Sequence, residues 1–368
     1  MAHLNHPRGV FVSNGEVFIA DTNNNRVRKL LRNGQIVTIA GTGEQGYNGD
    51  GQLATNAQLS NPRSVVVSSS NQVYISEMRG HRIRKIDQNG IISTVAGTGI
   101  QGYNGDGQLA IPFGLFVTED EEILFADYGN HRVRKIDQSG KMSNIAGIGR
   151  ASFSNGDGQL ATNAAVNRPK SVFKYKNEIY IAEYGIRKVD KNGMISTLSG
   201  AGNLNNTSVF VHNDDVYFTD YSYLLRINHT DHIHLLRKIL PNGTIKTIAG
   251  CATKGFNGDD MLATQCKLDF PHDIFVDDDS QIYIADTFNH CIRKIDQDGI
   301  MRRVVGTAEH AGYSGDVPFD FSKYPHIGPR KKQLIKPFSH AYHDLIVICV
   351  EMDFNDYEPV TKKVKLKQ

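Results

Sequence analysis

The chain has 368 residues, with 41 Lys and Arg against 39 Asp and Glu, and a formal net charge of +2, so no global field draws it to nucleic acid or to an anionic membrane. No apolar run approaches the ~20 residues that a membrane-spanning helix needs. Cys251, Cys266, Cys291 and Cys349 stand at no metal-like spacing; with no secretory signal in "MAHLNHPRGV" they read as free thiols, which sets the expectation of an intracellular protein.

In chain order, the first predicted element is "PRGVFV" from Pro7, a short β-rich run behind a proline. A second run, "VFIAD", closes on Asp21; a third is "RVRKL"; a fourth, "IVTIAG", ends at Gly41. The same four runs then return. The proline-led run recurs at Pro62, Pro112, Pro169 and Pro271. The acid-ended run recurs at Glu77, Asp127, Glu183, Asp220 and Asp286. From the arginine of the third run to the glycine of the fourth, the register is the same in six copies: Arg28 to Gly41, Arg84 to Gly97, Arg134 to Gly147, Arg187 to Gly200, Arg237 to Gly250 and Arg293 to Gly306. A fixed register with a Gly between two β-rich runs predicts a hairpin of set turn length. Length varies instead between the acid and the Arg-Lys of copies four and five, as expected of a loop on a rigid frame.

Four short strands per unit, repeated six times, predict an all-β fold: a six-bladed β-propeller of four-stranded antiparallel blades over residues 1–318, with a short non-repeat C-terminal tail over 319–368. In that tail "DLIVICVEM" reads as a buried strand. The first copy opens on its innermost strand and the sixth ends on its outermost, so no terminal strand completes the partner's blade. Met1 to His6 looks too short to do so, which leaves ring closure to side-chain packing or to sequence upstream.

The motif P-x-G-V-x-V, V-Y-I-A-D, N-x-R-V-R-K-I, closing on Gly, resembles the NHL repeat, and the "AGTGxxGYNGDG" extension is similar to NHL-type repeats of large sensor and adhesion proteins. The resemblance covers about residues 5–318 and implies a six-bladed propeller that serves as a ligand-binding or assembly module.

Three motifs invite chemistry. Gly41, Gly43 and Gly46 form G-x-G-x-x-G, as do Gly97, Gly99 and Gly102, but each copy runs into Asn-Gly and Asp-Gly turn signals rather than a helix. They read as inter-blade punctuation, and no nucleotide or other cofactor is expected. Each "NGDG" loop carries one aspartate (Asp50, Asp106, Asp157, Asp259, Asp316), too few for calcium, so it reads as a turn whose side chains bond nearby backbone. The acid and Arg-Lys of each copy read as one ion pair or backbone-bonded carboxylate per blade. Six near-identical copies do not make the asymmetric constellation that catalysis requires, so the chain is not expected to be an enzyme. The copy-five insertion "INHTDHIHLLRK" offers His229, His232 and His234, but no framework motif, and reads as an exposed polar loop rather than a metal site.

The position after the blade-opening proline carries the functional signal. It reads Arg8, Arg63, Phe113, Lys170, Thr207 and His272, which propeller topology places around the mouth of the central channel. Two readings compete: solvated rim charge, or a collar that recognises a carboxylate, phosphate or acidic peptide. On the same face lie Asn24, Asn25, Arg79, His81, Asn130, His131, Tyr184, Tyr221, Phe288, Asn289 and His290, with no structural duty evident from sequence. The expected function is a non-catalytic scaffold that presents this face to a protein or peptide, with no membrane partner. Single-stranded RNA binding is the alternative, and a metal-dependent lyase or hydrolase of related propeller type is the second.

Overall fold

Within each repeat, β-branched and aromatic residues alternate with small or polar ones, and short Gly-containing turns leave consecutive strands no option but antiparallel pairing. The computed structural model describes residues 2–100, 102, 110–150, 155–199, 206–226, 229–251 and 253–314, with side chains except at 206 and 222–232. The segment 319–368 lies outside the described residues.

Six sheets result, each ordered strand by strand along the chain. Blade one runs through Pro7–Ser13, Glu16–Asp21, Arg26–Leu30 and Ile36–Ala40. Blades two to six open on Pro62–Val67, Pro112–Val117, Ser171–Tyr175, Asn206–His212 and Pro271–Val276. These first strands touch in sequence around the ring, and the sixth touches the first. Apolar clusters fill the seams between successive blades. One of them joins Leu4, Val10, Ile19, Ala285 and Ile292 across the seam where the chain's two ends meet.

The linkers add a fifth strand where they cross to the next blade: Gln52–Leu53 pairs with the outer strand of blade two, and Met261–Leu262 with that of blade six. Their aspartates do not turn back on the local backbone as expected. Asp50 reaches Arg84 of the next blade at 2.8 Å, Asp157 reaches Arg187 at 2.8 Å and Asp259 reaches Arg293 at 3.0 Å. Each of those arginines is buried and also holds the acid of its own second strand, so the linker aspartate is drawn to a desolvated charge. The own-blade pair forms in all six blades: Arg28–Asp21 at 3.3 Å, Arg84–Glu77 at 3.5 Å, Arg134–Asp127 at 3.3 Å, Arg187–Glu183 at 3.2 Å, Arg237–Asp220 at 3.0 Å and Arg293–Asp286 at 3.2 Å. The same carboxylates accept backbone N–H groups at the entry to the first strand, from Asn5, Ser60, Ile111 and Asp269.

The glycine motif is explained by close approach. A Cβ at Gly41, Gly97, Gly147, Gly250 or Gly306 would overlap the carbonyl of Asn25, His81, His131, His234 or His290, and all five glycines have positive φ.

The ring closes with the device that joins its interior blades. Tyr47 of the first linker lies over Arg82 at 3.9 Å and Arg84 at 4.9 Å. Tyr313, after the last blade, lies over Arg26 at 3.9 Å and Arg28 at 4.9 Å. Gly312 N–H donates to the Leu4 carbonyl and Arg28 to the Ser314 carbonyl, both at 3.1 Å. The short N-terminal segment adds no strand, as expected, and contributes by packing instead: Leu4 is wholly buried in the seam that seals blade six to blade one.

Blade five departs from the loop expected there. Its second and third strands, Asp215–Arg226 and His229–Ile239, continue as one paired ladder to Arg226↔His229, so the insertion is a long hairpin. The side chains of His229 and His232 lie outside the described residues. His234 is buried, with its Nδ1 accepting the Phe270 N–H at 3.0 Å and lying 3.2 Å from Asp269.

Candidate functional site: the channel mouth

The channel is built in layers by the first strands. Counted from the blade-opening Pro7, Pro62, Pro112, Pro169 and Pro271, or from Asn206 in blade five, the fifth position forms the deepest girdle: Phe11, Val66, Phe116, Phe173, Phe210 and Phe275. Four ring contacts run around it, Phe116–Phe173 at 4.8 Å, Phe173–Phe210 at 4.4 Å, Phe210–Phe275 at 5.1 Å and Phe275–Phe11 at 4.8 Å. Such edge and tilted contacts are the favoured aromatic geometries. Above the girdle, the third position is small in five blades (Gly9, Ser64, Gly114, Ser171, Ser208) and Asp273 in the sixth. The Asp273 carboxylate accepts from Ser208 Oγ at 2.7 Å and from Val10 N–H at 3.1 Å, and burial pushes its pKa up to about 6.

The collar lies on top, where Arg8 and Lys170 are partly exposed. Arg63 and His272 are 7% and 8% exposed. Arg63 donates to His272 Nδ1 at 3.3 Å and lies 3.8 Å over the ring of Phe113, whose other neighbour is Tyr128, stacked parallel at 4.0 Å. Arg8 approaches the Met78 sulfur at 3.9 Å. Lys170 donates to Tyr221 Oη at 2.8 Å and lies 6.0 Å from the Tyr184 ring. Thr207 completes the ring as a neutral group tied to Thr219 and the Pro271 carbonyl.

These basic groups repel one another in a desolvated space. Burial, then Arg63 and Arg168, lower the Lys170 pKa to about 7. Burial and Arg8 lower Arg63 to about 9. Burial, with Arg63, Arg8 and Lys170, holds His272 well below its ordinary value, consistent with a neutral ring that accepts from Arg63. Desolvation and like charge are the two causes that disfavour a cation.

Farther out, the turns between second and third strands carry Asn25, His81, His131 and His290, all with left-handed φ. Three of these have a structural duty that sequence did not reveal. Asn25 Oδ1 accepts the Asn61 N–H at 3.1 Å, His131 Nδ1 the Arg168 N–H at 3.2 Å and His290 Nδ1 the His6 N–H at 3.2 Å. Each bond latches one blade to the next by holding a non-glycine residue at positive φ before the first strand. His81 is half-buried, with its pKa lowered by burial. Arg79 is exposed. Sequence reasoning placed Arg8, Arg63, Phe113, Lys170 and His272 together and put Tyr184 and Tyr221 beside them. It missed Tyr128, Phe270, Asp273 and the girdle; the Phe repeated at the fifth position and the lone acid at the third were the available signals.

A ring of phenylalanines under a basic, aromatic-walled mouth, framed by six four-stranded sheets, defines the class: a six-bladed β-propeller. Residues 42–101 match the teneurin NHL domain, and residues 4–30 and 268–295 match the NHL repeat. The matches to the NHL repeat thus lie on the first and last blades of a six-bladed β-propeller. It is 27% identical over 316 residues to teneurin-4 of Mus musculus, covering 76% of this chain and 10% of that protein. It is 38% identical over 96 residues to NHL repeat-containing protein 2 of Gallus gallus, covering 26% of this chain and 13% of that one. The chain therefore spans about a tenth of the length of the teneurin it matches. A catalytically inactive virginiamycin B lyase of Staphylococcus aureus, solved with quinupristin, superposes with a TM-score of 0.50 at 15% identity, covering 82% of this chain and 86% of that one. That likeness is one of fold alone. No helix among the described residues is long and apolar enough to cross a membrane, and the described cysteines, Cys251, Cys266 and Cys291, are free.

Proposed function

We propose that this propeller is a non-catalytic recognition module whose channel mouth takes an acidic segment of a partner protein. The observation that carries the reading is the crowding of Arg8, Arg63 and Lys170 around His272 in the mouth, where Arg8 disfavours the Arg63 cation, Arg63 that of Lys170, and all three that of His272. Holding like charges together out of water costs free energy that a carboxylate in their midst would offset. The aromatic walls (Phe113, Tyr184 and Tyr221) suit the chain around that carboxylate, because Tyr and Arg dominate binding hot spots. The phenylalanine girdle favours a ligand that enters and leaves by the same face. Arg79, and Asn25, His81, His131 and His290 on the surrounding turns, form the outer contacts of the partner.

A calorimetric titration with a Glu-rich peptide tests this, with single-stranded oligo(U) and a Lys-rich peptide as comparisons. Saturable binding of the Glu-rich peptide is expected, at least about tenfold weaker in Lys170→Met and in Arg8→Gln, or about 1.4 kcal/mol. Equal affinity of wild type and both variants overturns the collar. Binding of oligo(U) in place of the peptide, lost in the same variants and steeply salt-dependent, overturns the protein-partner reading in favour of RNA.

A further inference from the structure

The linkers cover the outer strands of blades two, four and six, and leave that of blade five bare. In the three covered blades one register position of the outer strand, Ile92, Ile195 and Met301, is buried. Its carbonyl accepts a linker N–H, from Gly51 at 2.9 Å, Gly158 at 2.9 Å and Asp260 at 2.7 Å. In blade five the same position is Ile245, at the start of the outer strand Ile245–Ala249, and it is 40% exposed. Lys246 and Thr247 beside it are exposed as well. Chain length gives the reason. The link into blade two spans residues 41–61, whereas the link into blade five is residues 200–205. At about 3.3–3.6 Å per residue, the shorter link cannot run along the outer edge and still return to the first strand.

Blade five nevertheless keeps the receptor for the linker it lacks. Elsewhere the linker aspartate bridges the seam arginine and the outer-strand residue opposite it. Asp50 accepts from Arg84 at 2.8 Å and from Thr94 Oγ1 at 3.1 Å; Asp157 accepts from Arg187 at 2.8 Å and from Thr197 Oγ1 at 3.2 Å. An aromatic ring three residues ahead of the aspartate covers the arginine: Tyr47 lies 4.9 Å over Arg84, and Phe256, ahead of Asp259, lies 5.1 Å over Arg293. In blade five the corresponding pair is Arg237 and Thr247, opposite each other in the ladder. Among the described residues Arg237 meets only Asp220, through Nε at 3.0 Å, and its side chain is 24% exposed where Arg84, Arg187 and Arg293 are buried. An exposed edge strand is a template for another chain, and here it carries a cation placed to choose which one.

We propose that the outer edge of blade five docks an extended segment of a partner protein, one with an aromatic residue three positions ahead of an aspartate. The segment adds as a fifth strand along Ile245–Ala249, as the linkers do in blades two and six, and sets its carboxylate between Arg237 and Thr247. Backbone bonds hold such a strand, and the charge-assisted aspartate contact fixes its register. The outer strand stands at the far end of its sheet from the first strand, which carries the collar, so the two sites are independent.

The test is fluorescence anisotropy and calorimetry on the full chain, with a labelled peptide of residues 45–59, QGYNGDGQLATNAQL, as the probe. Saturable one-to-one binding is expected, at least about tenfold weaker for the peptide with Asp50→Asn. In the protein, Thr247→Glu lies at an exposed position, occupies Arg237 with its own carboxylate and repels the peptide, with a loss of similar size. Lys170→Met, which disables the collar, leaves this binding unchanged. A photoreactive ring in place of Tyr47 of the peptide crosslinks to blade five. Absence of saturable binding overturns the proposal, as does binding that survives both the Asp50→Asn peptide and Thr247→Glu. Loss of binding in Lys170→Met, with none in Thr247→Glu, puts the peptide in the channel mouth; that overturns the edge site and leaves the mouth reading standing. Self-association of the full chain in sedimentation, abolished by Thr247→Glu, makes a second copy the occupant and overturns the partner.

Discussion

The periphery of each seam and the mouth of the channel are both rich in arginine, yet they handle charge in opposite ways. At the seams the same arginine returns in every blade against an acid of its own strand pair, buried in all but blade five, where Arg237 is partly exposed, and in blades two, four and six it also meets an aspartate sent across from the preceding linker. At the mouth, one structural position carries Arg8, Arg63, Phe113, Lys170, Thr207 and His272, and its cations press against one another. Repetition with pairing is how a sixfold frame is held together. Variation with repulsion at a single register is what a frame built for folding alone would not keep. On the function proposed above, the difference separates architecture from recognition.

The largest expected effect breaks the seam. Arg84→Met strands the buried carboxylate of Glu77 and loses Asp50; a loss of about 3–5 kcal/mol is expected, read as a lowered urea midpoint. At the mouth, the sign is reversed for stability and the cost falls on binding. Lys170→Met is expected to leave stability unchanged or higher while it weakens the Glu-rich peptide by at least about tenfold.

A pH series sharpens the same contrast. Lys170 holds its proton less tightly folded, near pH 7, than unfolded, near 10.5. Its contribution to stability is therefore fully present only above about 10.5 and is lost as the pH falls through 7. Peptide affinity should run the other way and decline as the pH rises through 7, because an uncharged amine no longer attracts a carboxylate. Lys170→Met should flatten both trends.

Smaller effects test the linkers. Asp50→Ala removes a half-exposed partner of Arg84 while Glu77 stays, for a loss of about 1 kcal/mol. Tyr313→Ala removes the cation–π contact over Arg26 that helps to close the ring, for a loss of about 0.5–1 kcal/mol. If Tyr47→Ala costs the same, closure and interior linkage are one device.

Much of the frame was legible because it is periodic. Strand boundaries, blade number and the Arg–acid pairs follow from a register repeated six times, and the collar followed from one position of that register. What stayed hidden depends on contacts between repeats. That Asp50 serves Arg84 rather than its own turn follows only once the linker is seen to cross the seam. The His131 and His290 latches required knowing which backbone N–H faces each imidazole, and local sequence does not carry that. The hairpin of blade five looked like a loop because its polar composition masked the continued pairing of Asp215–Arg226 with His229–Ile239. Ring closure stayed open between side-chain packing and sequence upstream, because the partners Leu4 and Tyr313 are far apart in sequence and serve the same seam only when all six blades are in place.

The central claim is that seam charges hold the fold and mouth charges await a ligand. Equilibrium urea unfolding of wild type, Arg84→Met and Lys170→Met at neutral pH tests it most directly. The account predicts a large fall in midpoint for Arg84→Met and none, or a rise, for Lys170→Met. A fall in Lys170→Met comparable to that in Arg84→Met would contradict it, and would make the collar one more structural clasp.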